Sequence, residues 1–159
     1  MGLTLANAAM LEGKNVTYLP SYGAEVRGGT AHCTVAISDE EIASPVASSP
    51  EFIVAMNQPS LMRFQNQIKS GGLFFINSSL TKAEISRDDI NVARVPASSI
   101  AEELGNPRSA NIVMLGAFIK KSNLVSLSGI IEELKNTLKN KQKLMAVNKQ
   151  SLMAGYELF

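Results

Sequence analysis

The sequence predicts an α/β protein: a single three-layer α/β/α domain over residues 1–159 with a mostly parallel, mixed sheet. Three observations carry that expectation. Short β-rich stretches alternate along the chain with stretches of helical periodicity, the pattern of a layered domain built on a parallel sheet. Phe52-Ile53-Val54-Ala55-Met56 and Leu73-Phe74-Phe75-Ile76 are continuous apolar runs of strand length, as expected where helices cover both faces of parallel strands. From His32 to Ile37 the chain instead alternates, with Cys33, Val35 and Ile37 on one side and His32, Thr34 and Ala36 on the other. That pattern suits a strand with one buried face, antiparallel to its neighbour, which makes the sheet mixed.

The elements come in order. Leu3 to Leu11 is rich in alanine and leucine and reads as a helix, and Gly13 supplies a left-handed cap. Val16-Thr17-Tyr18-Leu19 reads as the first strand. Between the two apolar runs, Gln58 reads as an N-cap with Pro59 at the first helical position. Leu61, Phe64 and Ile68 then share a face, and Gly71 closes the helix. Asn91 to Val95 reads as a further strand. Ser99-Ile100-Ala101-Glu102 has the form of a capping box before a helix ended by Gly105. Ala110 to Lys120 is apolar enough for a buried helix. Leu127, Ile130, Ile131, Leu134 and Leu138 make an amphipathic stripe, and a last helix from about Lys143 to Tyr156 is expected to pack on the sheet. A parallel α/β domain ordinarily opens with a strand, whereas helix formers come directly after Met1. A strand and a glycine-rich turn are therefore expected to be missing in front.

Composition narrows the partners. Fifteen basic against fourteen acidic side chains give a net charge of +1, too little to neutralise a phosphate backbone or an anionic bilayer. Neither nucleic acid nor membrane is the expected partner. The single cysteine cannot form an intrachain disulfide, and alone it cannot hold an iron–sulfur cluster or structural zinc, which take about four ligands. A reducing, cytoplasmic compartment is expected. The apolar opening lacks a basic flank and is interrupted by Asn7, so no signal or anchor is read.

In open parallel sheets, ligands and partners gather beyond the carboxyl ends of strands. Three such ends carry the candidate residues: Ser21, Tyr22, Gly23, Glu25, Arg27, Gly28 and Gly29 in the loop to Thr30, Asn57 after the first apolar run, and Asn77 after the second. If the three strands are neighbours, these ends form one polar cluster. On residue chemistry alone the loop reads in two ways. In one, Gly28 and Gly29 make a tight turn, Glu25 and Arg27 are solvated, and the asparagines cap the segments after them. In the other, the glycines admit a close backbone, and Arg27 forks onto a carboxylate or phosphate. His32 reads as structural or solvent-facing, having no second ligand or nucleophile nearby. Cys33 reads as a small buried core residue, and Lys135, Lys139, Lys141 and Lys143 read as a solvated basic face.

Residues 21–29, Ser-Tyr-Gly-Ala-Glu-Val-Arg-Gly-Gly, are succeeded by Val35-Ala36-Ile37-Ser38-Asp39 and Ile42-Ala43-Ser44-Pro45. In combination these resemble the gamma subunits of 2-oxoacid:ferredoxin oxidoreductases. Ala55-Met56-Asn57-Gln58-Pro59-Ser60, Asn77-Ser78-Ser79-Leu80 and Asn111 to Ala117 continue the likeness over nearly the whole chain. The Ala55–Ser60 run is closest to the 2-oxoglutarate type; the pyruvate and branched-chain 2-oxoacid branches are the alternatives. Members of the family open with a strand and a G-x-G-G-Q-G turn that this sequence does not contain.

The resemblance implies oxidative decarboxylation of a 2-oxoacid to an acyl-CoA, with coenzyme A as co-substrate and ferredoxin reduced. Thiamine diphosphate, Mg2+ and iron–sulfur clusters would sit on alpha, beta or delta partner subunits, and this chain would be inactive alone. Tyr22, Glu25 and Arg27 would then be the interface or ligand loop of a hetero-oligomer. Two readings from other classes stay open: a stand-alone nucleotide- or acyl-carrier-binding module, and a purely structural interaction protein.

Overall fold

The computed structural model describes residues 1–23, 30–46, 48–139 and 141–159, which divide into two compact units. The first comprises Met1–Ala47 with Leu124–Thr137, the second Ser48–Asn123 with Leu138–Phe159.

In the first unit, helix α1 (Gly2–Leu11) leads into strands β1 (Asn15–Tyr22) and β2 (Ala31–Ser38), paired antiparallel with Asn15 opposite Ser38 and Tyr22 opposite Ala31. Gly13 ends α1 as its position in the sequence implies. At φ +80 it donates to Met10 O, and Lys14 donates to Ala9 O, so the last carbonyls of the helix are satisfied by a Schellman turn. Helix α5 (Leu127–Thr137) packs on α1. Its N-terminus is closed twice: Ser126 Oγ accepts from Gly129 N at 3.0 Å, and Glu12 Oε1 accepts from Ser126 N at 2.9 Å. The nearly buried Glu133 of α5 accepts from Asn7 Nδ2 and Thr137 Oγ1, both at 2.8 Å. Those bonds satisfy a carboxylate that burial would otherwise penalise.

In the second unit, β3 (Phe52–Ala55), β4 (Leu73–Asn77) and β5 (Asn91–Val95) form a parallel sheet in that order. The apolar runs are strands for the reason the sequence implies: both faces are covered. Ile53, Ala55, Phe74 and Ile76 meet Leu61 and Ile68 on one face. On the other, Phe118 of α4 (Ala110–Ser122) packs its ring 5.6 Å from that of Phe52 and 5.2 Å from that of Phe75. This is the α/β layering that the sequence predicts. The antiparallel pair forms a sheet of its own among the described residues.

Several details differ from the expectations. The helix after β3, α2 (Gln58–Phe64), is capped by Asn57, whose Oδ1 accepts from Ser60 N at 3.0 Å, rather than by Gln58. Asparagine wins because its short side chain reaches the third amide while its backbone stays extended. The helix also stops at Phe64, before Ile68 and Gly71. Helix α3 (Ala97–Glu103) begins two residues ahead of Ser99, with Pro96 as N-cap, so Ser99 makes no capping box. Its amide is taken by Ser79 Oγ at 3.1 Å. Helix α6 (Gln142–Tyr156) packs on α4. A methyl at Gly155 would overlap the Val113 carbonyl, and one at Gly116 the Leu152 carbonyl. Only glycine lets the two backbones touch there. No helix among the described residues is long and apolar enough to cross a membrane.

Candidate functional site

The predicted site residues fall into two places. Ser21 and Tyr22 end β1, opposite His32 and Ala31. Gly23 then donates to Thr30 O at 2.7 Å, closing the ribbon where the chain leaves it. Tyr22 is 75% exposed. Glu25, Arg27, Gly28 and Gly29 lie outside the described residues. Asn77 ends β4 of the other sheet, and Asn57 caps the helix that follows β3. Because β1 pairs with β2 and not with β3 or β4, the three strand ends are not adjacent positions of one sheet. Alternating hydrophobicity reports a strand's faces but not which strand lies beside it.

The carboxyl edge of the parallel sheet is built around Asn77. It is fully buried, with Nδ2 donating to Met56 O at 3.2 Å and to Ser98 Oγ at 2.9 Å. It thus ties the end of β3 to the start of α3. Ser78 N donates to Val95 O at 2.9 Å, and Ser79 Oγ lies 2.9 Å from Ser99 Oγ. Small amides and hydroxyls are what such an edge needs, since each meets several backbone groups without filling space. Thr81, just beyond, is also buried, and its Oγ1 has no hydrogen-bond partner among the described residues. The serines at 78, 79, 98 and 99 could have been read as the polar lining of this edge; the buried threonine left no signal in the sequence.

Sequence reasoning also missed a clamp. Arg87 forks onto Asp89, Nε to Oδ1 at 2.8 Å and Nη2 to Oδ2 at 2.6 Å, while Nη1 donates to Ile68 O at 2.7 Å. The guanidinium holds the Asp89 carboxyl down at about 2. An arginine two residues before an aspartate was the available signal.

On the ribbon, Cys33 is exposed, not buried as the sequence implied. Two strands give α1 too little sheet to cover, and the helix meets that face at Gly2, beside the Cys33 sulfur. Partial burial there pushes the thiol up, so its neutral form is favoured. His32, across the ribbon from Ser21, is the more covered of the two. Among the described residues, no three His, Cys, Asp or Glu side chains gather as a metal site would need.

The comparisons with known proteins agree with one another. A family model described as pyruvate ferredoxin/flavodoxin oxidoreductase matches residues 1–158. Ketoisovalerate oxidoreductase subunit VorA of Methanothermobacter thermautotrophicus is 41% identical over 99% of this chain and 33% of its own length. The chain therefore spans about a third of that relative. The 2-oxoglutarate synthase subunit KorC of Methanothermobacter marburgensis is 35% identical over 86% of this chain and 77% of its own. Among solved structures, a 2-oxoglutarate:ferredoxin oxidoreductase from Magnetococcus marinus, with 2-oxoglutarate, coenzyme A and succinyl-CoA bound, superposes with a TM-score of 0.89 at 25% identity. That likeness covers 99% of this chain and 28% of the other.

Proposed function

We propose that this chain, which belongs to the pyruvate ferredoxin/flavodoxin oxidoreductase family, serves as the gamma-type domain of a 2-oxoacid:ferredoxin oxidoreductase. The observation that carries the reading is the family match over residues 1–158, which takes in both compact units; we propose that they act as one domain. In this role the chain completes an assembly whose alpha and beta, and in some forms delta, subunits supply the redox chemistry. The donor set supports that division. One cysteine in 159 residues does not fit an iron–sulfur cluster held by this chain alone.

Its own residues would shape the approach of the 2-oxoacid or coenzyme A and hold partner subunits. Ser21, Tyr22, Gly23, Glu25, Arg27, Gly28 and Gly29 on the ribbon side, and Asn57 and Asn77 on the sheet side, are the positions we assign to that work. Ferredoxin is the proposed acceptor and the cytoplasm the proposed compartment. For the 2-oxoacid, the Ala55–Ser60 run and the likeness to the KorC subunit support 2-oxoglutarate. The higher identity to the VorA subunit favours a second reading, a branched-chain 2-oxoacid.

Anaerobic purification through a tag on this chain tests both levels. Partner chains carrying iron and thiamine diphosphate, with reduction of ferredoxin or viologen dependent on a 2-oxoacid and coenzyme A, are the expected result. A panel of 2-oxoglutarate, 2-oxoisovalerate and pyruvate then selects the branch. A lone chain of 17.1 kDa with no such activity would remove the assignment.

A further inference from the structure

Helix α6 begins before the helix it packs on. Ser109, at the start of α4, meets Ser151 across a 2.8 Å hydrogen bond, and Val113 meets Gly155. The buried residues of α6 are accordingly Ser151, Leu152 and Gly155. The stripe they define continues at helical spacing to Asn148, Met145 and Leu144. None of these three is buried, and Leu144 is 39% exposed.

The same half, less covered than the rest of the helix, carries and follows charge of one sign. No aspartate or glutamate occurs between Glu133 and Glu157, while Lys139, Lys141, Lys143 and Lys149 fall there and are all exposed. Lys139, Lys141 and Lys143 line a shallow hollow with Gln142 and Leu144. The ion pairs among the described residues, Lys14–Asp39, Lys69–Glu51 and Arg87–Asp89, engage none of them. Lys141 stands at the N-cap of α6. Cations at the positive end of a helix are unfavourable, so local folding does not account for their placement.

We propose that this overhanging half of α6 docks on a carboxylate-rich, partly apolar face of a partner protein subunit. Leu144 and Met145 would lie on its apolar part, and the lysines would meet its carboxylates. The proposal rests on the reading of the chain as part of an assembly. A phosphate-bearing partner would also take lysines. A net charge of +1 leaves no wider basic surface for one, and the apolar stripe suits the core of a protein interface.

The test uses the native complex isolated through a tag. Carbodiimide treatment is expected to join Lys139, Lys141, Lys143 or Lys149 to aspartate or glutamate of a second subunit, read by mass spectrometry of the linked peptides. The variant K139E/K141E/K143E is expected to fold normally by circular dichroism but to bind the partner about tenfold more weakly at low salt, the gap closing near ~1 M salt. A complex that forms without such links, and assembles equally well with the variant, overturns this inference and leaves the proposed function standing. Absence of any complex removes both. Loss of the partner on nuclease treatment, or lysine-dependent binding of the free chain to phosphatidylglycerol vesicles, assigns the lysines to phosphate and overturns the proposal.

Discussion

The two units use their strands in opposite ways. In the parallel sheet, Phe74, Phe75, Ile76 and Asn77 of β4 are sealed completely, with helices pressing on both faces. In the antiparallel ribbon no residue of β1 is buried, and Tyr18, Leu19 and Tyr22 stand open at 37%, 43% and 75%. A two-stranded ribbon is marginal by itself, so the first unit draws its order from α1 and α5, while the second holds a core of its own. One unit is therefore expected to respond to substitution through stability, the other through what it touches.

The largest effect belongs to the α4–α6 contact. Gly155→Ala would place a methyl inside the Val113 carbonyl, and backbone cannot swing aside as a side-chain end can. The two helices must separate, at a cost of about 3 kcal/mol. Urea denaturation of the variant should show that loss, with Gly116→Ala close behind it. A loss under about 0.5 kcal/mol would mean that the helices have room to part, and that the second unit is less tightly built than the contrast requires.

Next in size is Asn77→Ala, which leaves the Met56 carbonyl and Ser98 hydroxyl without their shared donor in a partly buried place. A loss of about 2 kcal/mol is expected, and amide exchange should quicken at the β3 and α3 ends together. Exchange at one end alone would show that Asn77 does not couple them.

Legibility in the sequence divides along local and distant events. Gly13 and Gly105 read as caps and sit at φ +80 and +73, because a helix end is a local event written in adjacent residues. The two apolar runs read as parallel strands for a similar reason: a run with no polar face needs cover on both sides. Cys33 is misread because alternation marks an inner face without saying whether anything covers it. Gly116 meets Leu152, and Gly155 meets Val113, only in three dimensions, and neither glycine carries a local sign of that meeting. The polar strand ends are visible, but their distribution over two sheets is not.

A smaller effect comes from the Arg87–Asp89 clamp. Asp89 titrates at about 2 when folded, below the ~3.9 of a free aspartate. The stabilisation is therefore fully present above the unfolded value, declines as pH falls below ~4, and is gone once the folded carboxyl is protonated. Arg87→Ala should return the Asp89 carboxyl to the ordinary range by NMR titration and flatten the acid limb of the stability curve. An unmoved Asp89 would shift the credit to its other hydrogen bonds.

The smallest expected change in stability, and the sharpest on the contrast itself, is Tyr22→Ser. With three quarters of the side chain in solvent, its loss should alter folding by no more than about 0.5 kcal/mol. An aromatic left this open at a ribbon end carries its apolar area for use elsewhere, and tyrosines in that position anchor interfaces well. In the proposed assembly the variant should fold like the parent yet recover about tenfold less partner in the tag purification. A melting temperature lowered by several degrees would instead place Tyr22 in the chain's own packing. Unchanged stability with unchanged recovery would leave the ribbon end outside the interface and shift the docking role to the sheet edge or to α6.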